Sequence, residues 1–138
     1  MKICVLGLGY VGLPLYFLAR NKGYDVMGFD ISESKVKELK SKVTDITEKI
    51  VNEGFMKYDS FEFTSDPREL SKAEVFFVAV PTPVGDDKVP NYKYIIRANK
   101  MIINNSQKGI LIIQESTINP GTCEGIVKPL FDNSGLDL

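Results

Sequence analysis

A chain of 138 residues with 43% hydrophobic and 25% charged side chains is long enough to bury a real core as one domain. Its 17 basic and 18 acidic residues leave a net charge of −1, so no global field favours nucleic acid, and no apolar run reaches the roughly 18 residues of a membrane span unbroken by Gly, Pro or charge. Two cysteines in unrelated contexts exclude a disulfide framework and a metal site, the absence of histidine excludes imidazole chemistry, and a reducing cytoplasm is the expected location.

Ile3 to Leu6 is a short apolar, partly β-branched run, and Gly7-x-Gly9-x-x-Gly12 leads from it straight into a helical pattern. This is the strand, turn and helix of a dinucleotide-binding βαβ unit. Gly7 permits the tight turn, Gly9 lets the backbone approach a pyrophosphate, and Gly12 lets the helix pack closely. Free N–H groups and the positive end of the helix dipole then face the phosphates. Met1-Lys2 ahead of apolar residues up to Ala19 has the outline of a secretory signal, but three glycines, Pro14 and the lack of an A-x-A-like cleavage site argue against one.

The first helix is expected from Tyr10 to Lys22, with Pro14 in its first turn, Gly23 as the left-handed residue after it, and Val11, Leu15, Leu18 and Ala19 facing the sheet. Asp25 to Phe29 forms the second strand. Asp30 follows it at about the 20-residue offset where a carboxylate accepts both hydroxyls of an adenosine ribose and repels a 2′-phosphate. Ser32 is a natural N-cap for a helix from Glu33 to Lys42 with Val36 and Leu39 as its apolar seam. Asp45-Ile-Thr-Glu48 has capping-box spacing and predicts a short helix to Asn52, stopped at Gly54.

Phe61 to Thr64 alternates and reads as a short edge strand, and Ser65-Asp-Pro-Arg-Glu69 as a helix start. Val75 to Val80 is continuously apolar, as a central parallel strand covered on both faces should be. A polar loop from Asp86 to Pro90 follows. Asn91 then caps a helix to Asn105, Ile110 to Ile113 forms the last strand, and a loop to Gly121 enters a final helix from Thr122 to Phe131.

The alternation implies right-handed crossovers and an α/β fold: a Rossmann-type doubly wound parallel sheet in three α/β/α layers, in the order 3-2-1-4-5. In such a sheet ligands bind where the strand order reverses, so the glycine turn, Val80 to Val84 and Glu115 to Thr117 should converge.

These segments resemble the NAD-binding domain of the UDP-glucose/GDP-mannose dehydrogenase family. The matching residues are Gly7-Leu-Gly-Tyr-Val-Gly-Leu-Pro14, Gly28-Phe-Asp-Ile31, Val78-Ala-Val-Pro-Thr-Pro83 and Glu115-Ser-Thr-Ile-Asn-Pro-Gly-Thr122, and the last looks closest to the branch acting on UDP-N-acetylhexosamines. The resemblance implies two successive oxidations of a sugar C6 hydroxyl to a carboxylate, with two NAD⁺ and a thioester on a cysteine. It implies that Gly7, Gly9, Tyr10, Val11 and Gly12 hold the pyrophosphate, Asp30 the ribose, and Lys35 lies beside that ribose. Val80, Pro81, Thr82 and Pro83 would line the nicotinamide side with Glu115 and Ser116, and Thr117 matches a threonine near the reacting centre. UDP-sugar would be the substrate, in a homo-oligomer that engages neither membrane nor nucleic acid.

The family's cysteine segment has no counterpart in these 138 residues, so the chain is expected to be the cofactor-binding part, residues 1–138, of a longer enzyme. As residues alone, Lys35 is equally a solvated helix lysine, Pro81 and Pro83 a strand stop, Thr117 a turn cap, Cys4 a small core residue and Cys123 a helix-start thiol. Two other functions fit a glycine turn with an acid after it: a nucleotide-sensing domain of a transporter or channel, and an NADP-dependent β-hydroxyacid dehydrogenase half. Glu115 to Thr122 speaks against the first and Asp30 against the second.

Overall fold

The computed structural model describes residues 1–86 and 88–135. Its five strands are β1 (Lys2–Leu6), β2 (Asp25–Phe29), β3 (Phe63–Thr64), β4 (Val75–Val78) and β5 (Leu111–Gln114), all parallel, in the order β3-β2-β1-β4-β5. Leu6 pairs with Phe29 and with Val78, and Val78 with Gln114, so the C-terminal ends lie level. Whatever follows a strand therefore emerges at one edge of the sheet.

Both faces are covered, as near-continuous apolar strands require. In β1, Ile3 and Val5 point into a core layer beneath the helices α1 (Gly12–Asn21), α2 (Glu33–Lys40) and α3 (Lys49–Lys57). Cys4 and Leu6 point the other way, to a layer with Leu70, Ala98 and Ile102, the latter two from α4 (Lys93–Asn105). This is the expected three-layer arrangement.

Four local expectations are corrected. First, α1 starts at Gly12, and its buried face is Leu13, Tyr16, Phe17 and Ala19, leaving Val11 and Leu18 exposed. The aromatic rings decide the rotation, because each removes more apolar area from water than Val or Leu, and the Tyr16 hydroxyl is satisfied by the Glu62 N–H at 3.3 Å and by Arg20 at 3.2 Å. Second, the Asp45–Glu48 capping box does not form, and α3 runs through Gly54 to Lys57. A Cβ on Gly54 would stand 2.1 Å from Phe17 Cδ1, so this glycine serves close helix packing and is not a stop.

Third, β4 ends at Val78, two residues early, and β5 is displaced by one. Fourth, the final helix opens as a π-helical turn, Cys123–Val127, before α5 (Lys128–Asp132). Pro129 has no N–H to give to Gly125, so the regular ladder cannot run through this segment. The caps at Ser32, which accepts from Lys35 N–H at 3.3 Å, and at Asp66, which accepts from Arg68 N–H at 3.0 Å, form as read, although Pro67–Lys72 is a 3₁₀ helix. Within the predicted loop from Asp86 to Pro90, Asp87 lies outside the described residues.

Candidate dinucleotide cleft at the strand ends

The glycine turn sits over the C-terminal end of β1. Gly7 takes φ +97°, donates to Phe29 O at 2.8 Å, and a Cβ there would lie 2.6 Å from Ala79 O. Gly12 is tighter still, since a Cβ would lie 1.7 Å from Gly7 O. Gly9 is different in kind: nothing lies within 4 Å of the position its Cβ would take. The first bond of the helix runs from Leu13 N–H to Gly9 O at 3.0 Å, so the amides ahead of it precede the helical ladder and carry the positive end of its dipole.

Asp30 is fixed from both sides. Its Oδ2 accepts from Leu8 N–H and its Oδ1 from Ser32 N–H, each at 3.0 Å, and Lys35 Nζ stands 3.8 Å from Oδ2. The carboxylate thus ties the end of β2 to the glycine turn, and each oxygen keeps a lone pair for another donor. Tyr10 reaches outward and donates to Asp45 Oδ2 at 3.2 Å; the Asp45 charge holds its phenol above the ordinary value.

Across the strand-order reversal, Glu115 and Ser116 donate their backbone N–H groups to Val78 O at 2.9 and 3.1 Å. The buried Ser116 hydroxyl lies 2.8 Å from Val80 O, so it pins the segment after β4 against the one after β5. Behind it, Gln114 donates to Asn99, which is buried and donates in turn to Ile95 O.

Together these segments enclose a cleft of about 590 Å³, within the range of small-molecule and cofactor sites. Of the residues singled out in the sequence, Gly7, Gly9, Tyr10, Val11, Asp30, Lys35, Val80, Pro81, Thr82, Glu115, Ser116 and Thr117 line it. Gly12 lies beneath the turn as packing. Pro83 does not line this cleft: its carbonyl accepts from Asn91 N–H at 2.8 Å, closing the loop on itself, and the residue faces a neighbouring hollow with Val84, Tyr92 and Ile126. Sequence reasoning missed one wall, made by Tyr94, Arg97, Ala98 and Met101 of α4. Their spacing was the available signal, since positions i, i+3, i+4 and i+7 share a helix face.

Among the described residues no group of three metal-ligating side chains occurs, and no helix is long and apolar enough to cross a membrane. Cys4 is fully buried, which pushes its thiol far above the ordinary range, and neither Cys4 nor Cys123 lines the cleft.

The chain is 36% identical over 140 residues to the UDP-N-acetyl-D-mannosamine dehydrogenase of Pyrococcus horikoshii, covering 99% of this chain and 33% of that protein. It is also 36% identical over 137 residues to the UDP-N-acetyl-D-glucosamine 6-dehydrogenase of Pseudomonas aeruginosa, covering 99% and 32%. Among solved structures, the Pyrococcus horikoshii UDP-D-ManNAc dehydrogenase superposes with a TM-score of 0.87 at 35% identity, over 100% of this chain and 34% of that one. The chain therefore spans about a third of the length of the relatives it matches. Residues 1–137 match the NAD binding domain of the UDP-glucose/GDP-mannose dehydrogenase family, and the chain belongs to that family.

Proposed function

We propose that this chain is the NAD⁺-binding part of a sugar-nucleotide 6-dehydrogenase that oxidises the C6 hydroxyl of a UDP-N-acetylhexosamine or UDP-glucose to the carboxylate for polysaccharide precursor synthesis. The supporting observation is the meeting of four separated segments, the glycine turn, Asp30, Pro81-Thr82 and Glu115 to Thr117, in one cleft. The residues present fit the dinucleotide: space lies open above Gly9 while Gly7 and Gly12 are packed, and the acid is already oriented.

In this reading the amides at the start of α1 bind the pyrophosphate. The free lone pairs of Asp30 accept the two adenosine ribose hydroxyls, and Lys35, 3.8 Å from Asp30 Oδ2, lies beside them. Thr82, with Val80 and Pro81, walls the nicotinamide side. Ser116 is a positioning residue that fixes Glu115 and Thr117 at the rim, where Thr117 contacts the reacting centre. NAD⁺, when bound, supplies hydride acceptance, and the change from CH₂OH to carboxylate needs two such transfers and one water. The cysteine that carries the thioester, and the sugar site, belong to sequence outside these 138 residues.

We further assign the enzyme to the cytoplasm, as a homo-oligomer with UDP-sugar as its partner molecule. The dehydrogenase names of the relatives, together with Glu115 and Thr117 in the cleft, favour this over a nucleotide sensor. Calorimetric titration of the chain with NAD⁺ tests it, and absence of binding refutes it. The chain alone should generate no NADH from UDP-sugars, so sustained NADH absorbance would refute the division of labour.

A further inference from the structure

The cleft has two unlike linings. On the α1 side stand the backbone amides of the glycine turn. On the α4 side the floor is apolar, because Leu6, Phe29, Val80, Ala98 and Met101 all belong to or pack on the core layer beneath that helix. A dinucleotide has one part suited to each: a charged pyrophosphate and an uncharged, planar adenine.

Asp30 fixes where the adenosine ribose lies, and Ile31, the next residue, lines the cleft with 62% of its surface exposed. The base therefore falls between Ile31 and the α4 wall. On that wall Tyr94, Arg97 and Met101 share one helix face. Two cations line the cleft among the described residues, Lys35 and Arg97. Lys35 is matched by Asp30 at 3.8 Å, whereas Arg97 has no hydrogen bond, ion pair or ring contact among the described residues.

We propose that Arg97 is an adenine-recognition residue, its planar guanidinium lying flat against the base on the side opposite Ile31. A guanidinium is suited to this because it is weakly hydrated and stacks on π faces, while a lysine ammonium is compact and strongly hydrated. The location favours the base over the pyrophosphate, since Arg97 stands on the apolar wall, across the sheet from the helix whose amides face the phosphates. This rests on the assignment of the cleft to NAD⁺.

The test compares wild type, Arg97→Ala and Arg97→Lys by titration with NAD⁺ and, separately, with adenosine, which has the base and ribose but no phosphate. Arg97→Ala should weaken both by a similar factor, about tenfold, and Arg97→Lys should recover little of it. Arg97 is exposed and has no partner among the described residues, so the thermal midpoint should not move. Unchanged affinity in Arg97→Ala overturns the proposal. Loss for NAD⁺ alone, restored by lysine and weakened by salt, also overturns it by making Arg97 a phosphate contact. If wild type fails to bind NAD⁺ at all, it is the assignment of the cleft that falls.

Discussion

Gly9 and Gly12 belong to one motif, yet the structure predicts opposite consequences for enlarging them. At Gly12 the added Cβ would meet the Gly7 carbonyl oxygen at 1.7 Å and Val5 Cγ1 at 3.3 Å, and real Cβ contacts are essentially never closer than 3.0 Å. The obstacle is backbone in the turn itself, so α1 must lift from the sheet. Overpacking of this kind costs about 1–3 kcal/mol, here at the upper end, and the gain in helix propensity from Gly to Ala returns about 1 kcal/mol. Gly12→Ala should therefore lose about 2 kcal/mol, a fall in Tm of roughly 6–10 °C for a chain of this length. At Gly9 nothing lies within 4 Å, and its φ is outside the left-handed region, so Gly9→Val should unfold like wild type within about 0.5 kcal/mol. Its side chain instead fills the space a pyrophosphate needs, and NAD⁺ binding should vanish. Urea unfolding and calorimetric titration read the two effects separately. Wild-type stability in Gly12→Ala, or wild-type NAD⁺ affinity in Gly9→Val, would refute the reasoning.

Asp30 predicts at least about tenfold weaker binding of NADP⁺ than of NAD⁺, because a 2′-phosphate removes hydrogen bonds to a charged acceptor and adds repulsion; equal affinities by titration would count against it. Burial holds the Cys4 thiol and the Tyr16 phenol above their ordinary values, so their contribution to stability is whole below the unfolded pKa and lost as pH rises. Urea midpoints should thus be flat from about pH 6 to 8 and fall above about pH 8.5, with Cys4→Ala removing the earlier part of the fall; a midpoint constant to about pH 11 would contradict this. No described strand flanks the outer side of β5, and Leu111 on it is exposed, whereas Ile112 packs on the core. The chain should self-associate at this edge in light scattering, and Leu111→Lys should suppress that without unfolding; equal scattering from both proteins would reject the edge as the route.

The local parts of this protein were legible in its sequence because local rules govern them. Apolar runs of strand length, a glycine turn with a helix behind it, Asp30 at the end of β2, and the caps at Ser32 and Asp66 each depend on neighbours within a few residues, and the alternation of strands and helices then leaves few topologies open. What tertiary structure decided is which surfaces meet. Residues 11 to 19 are apolar almost throughout, so several faces of α1 were available, and only packing against Phe55 and Phe63 selects Tyr16 and Phe17. Gly54 reads as a stop until Phe17 is seen above it. Pro83 sits in a motif that suggests the cleft, but the bond from Asn91 N–H to its carbonyl holds it in a loop closed away from the cleft. The α4 wall, Arg97 included, is some 70 residues further along the chain than Asp30, and only the sheet order brings the two to one site.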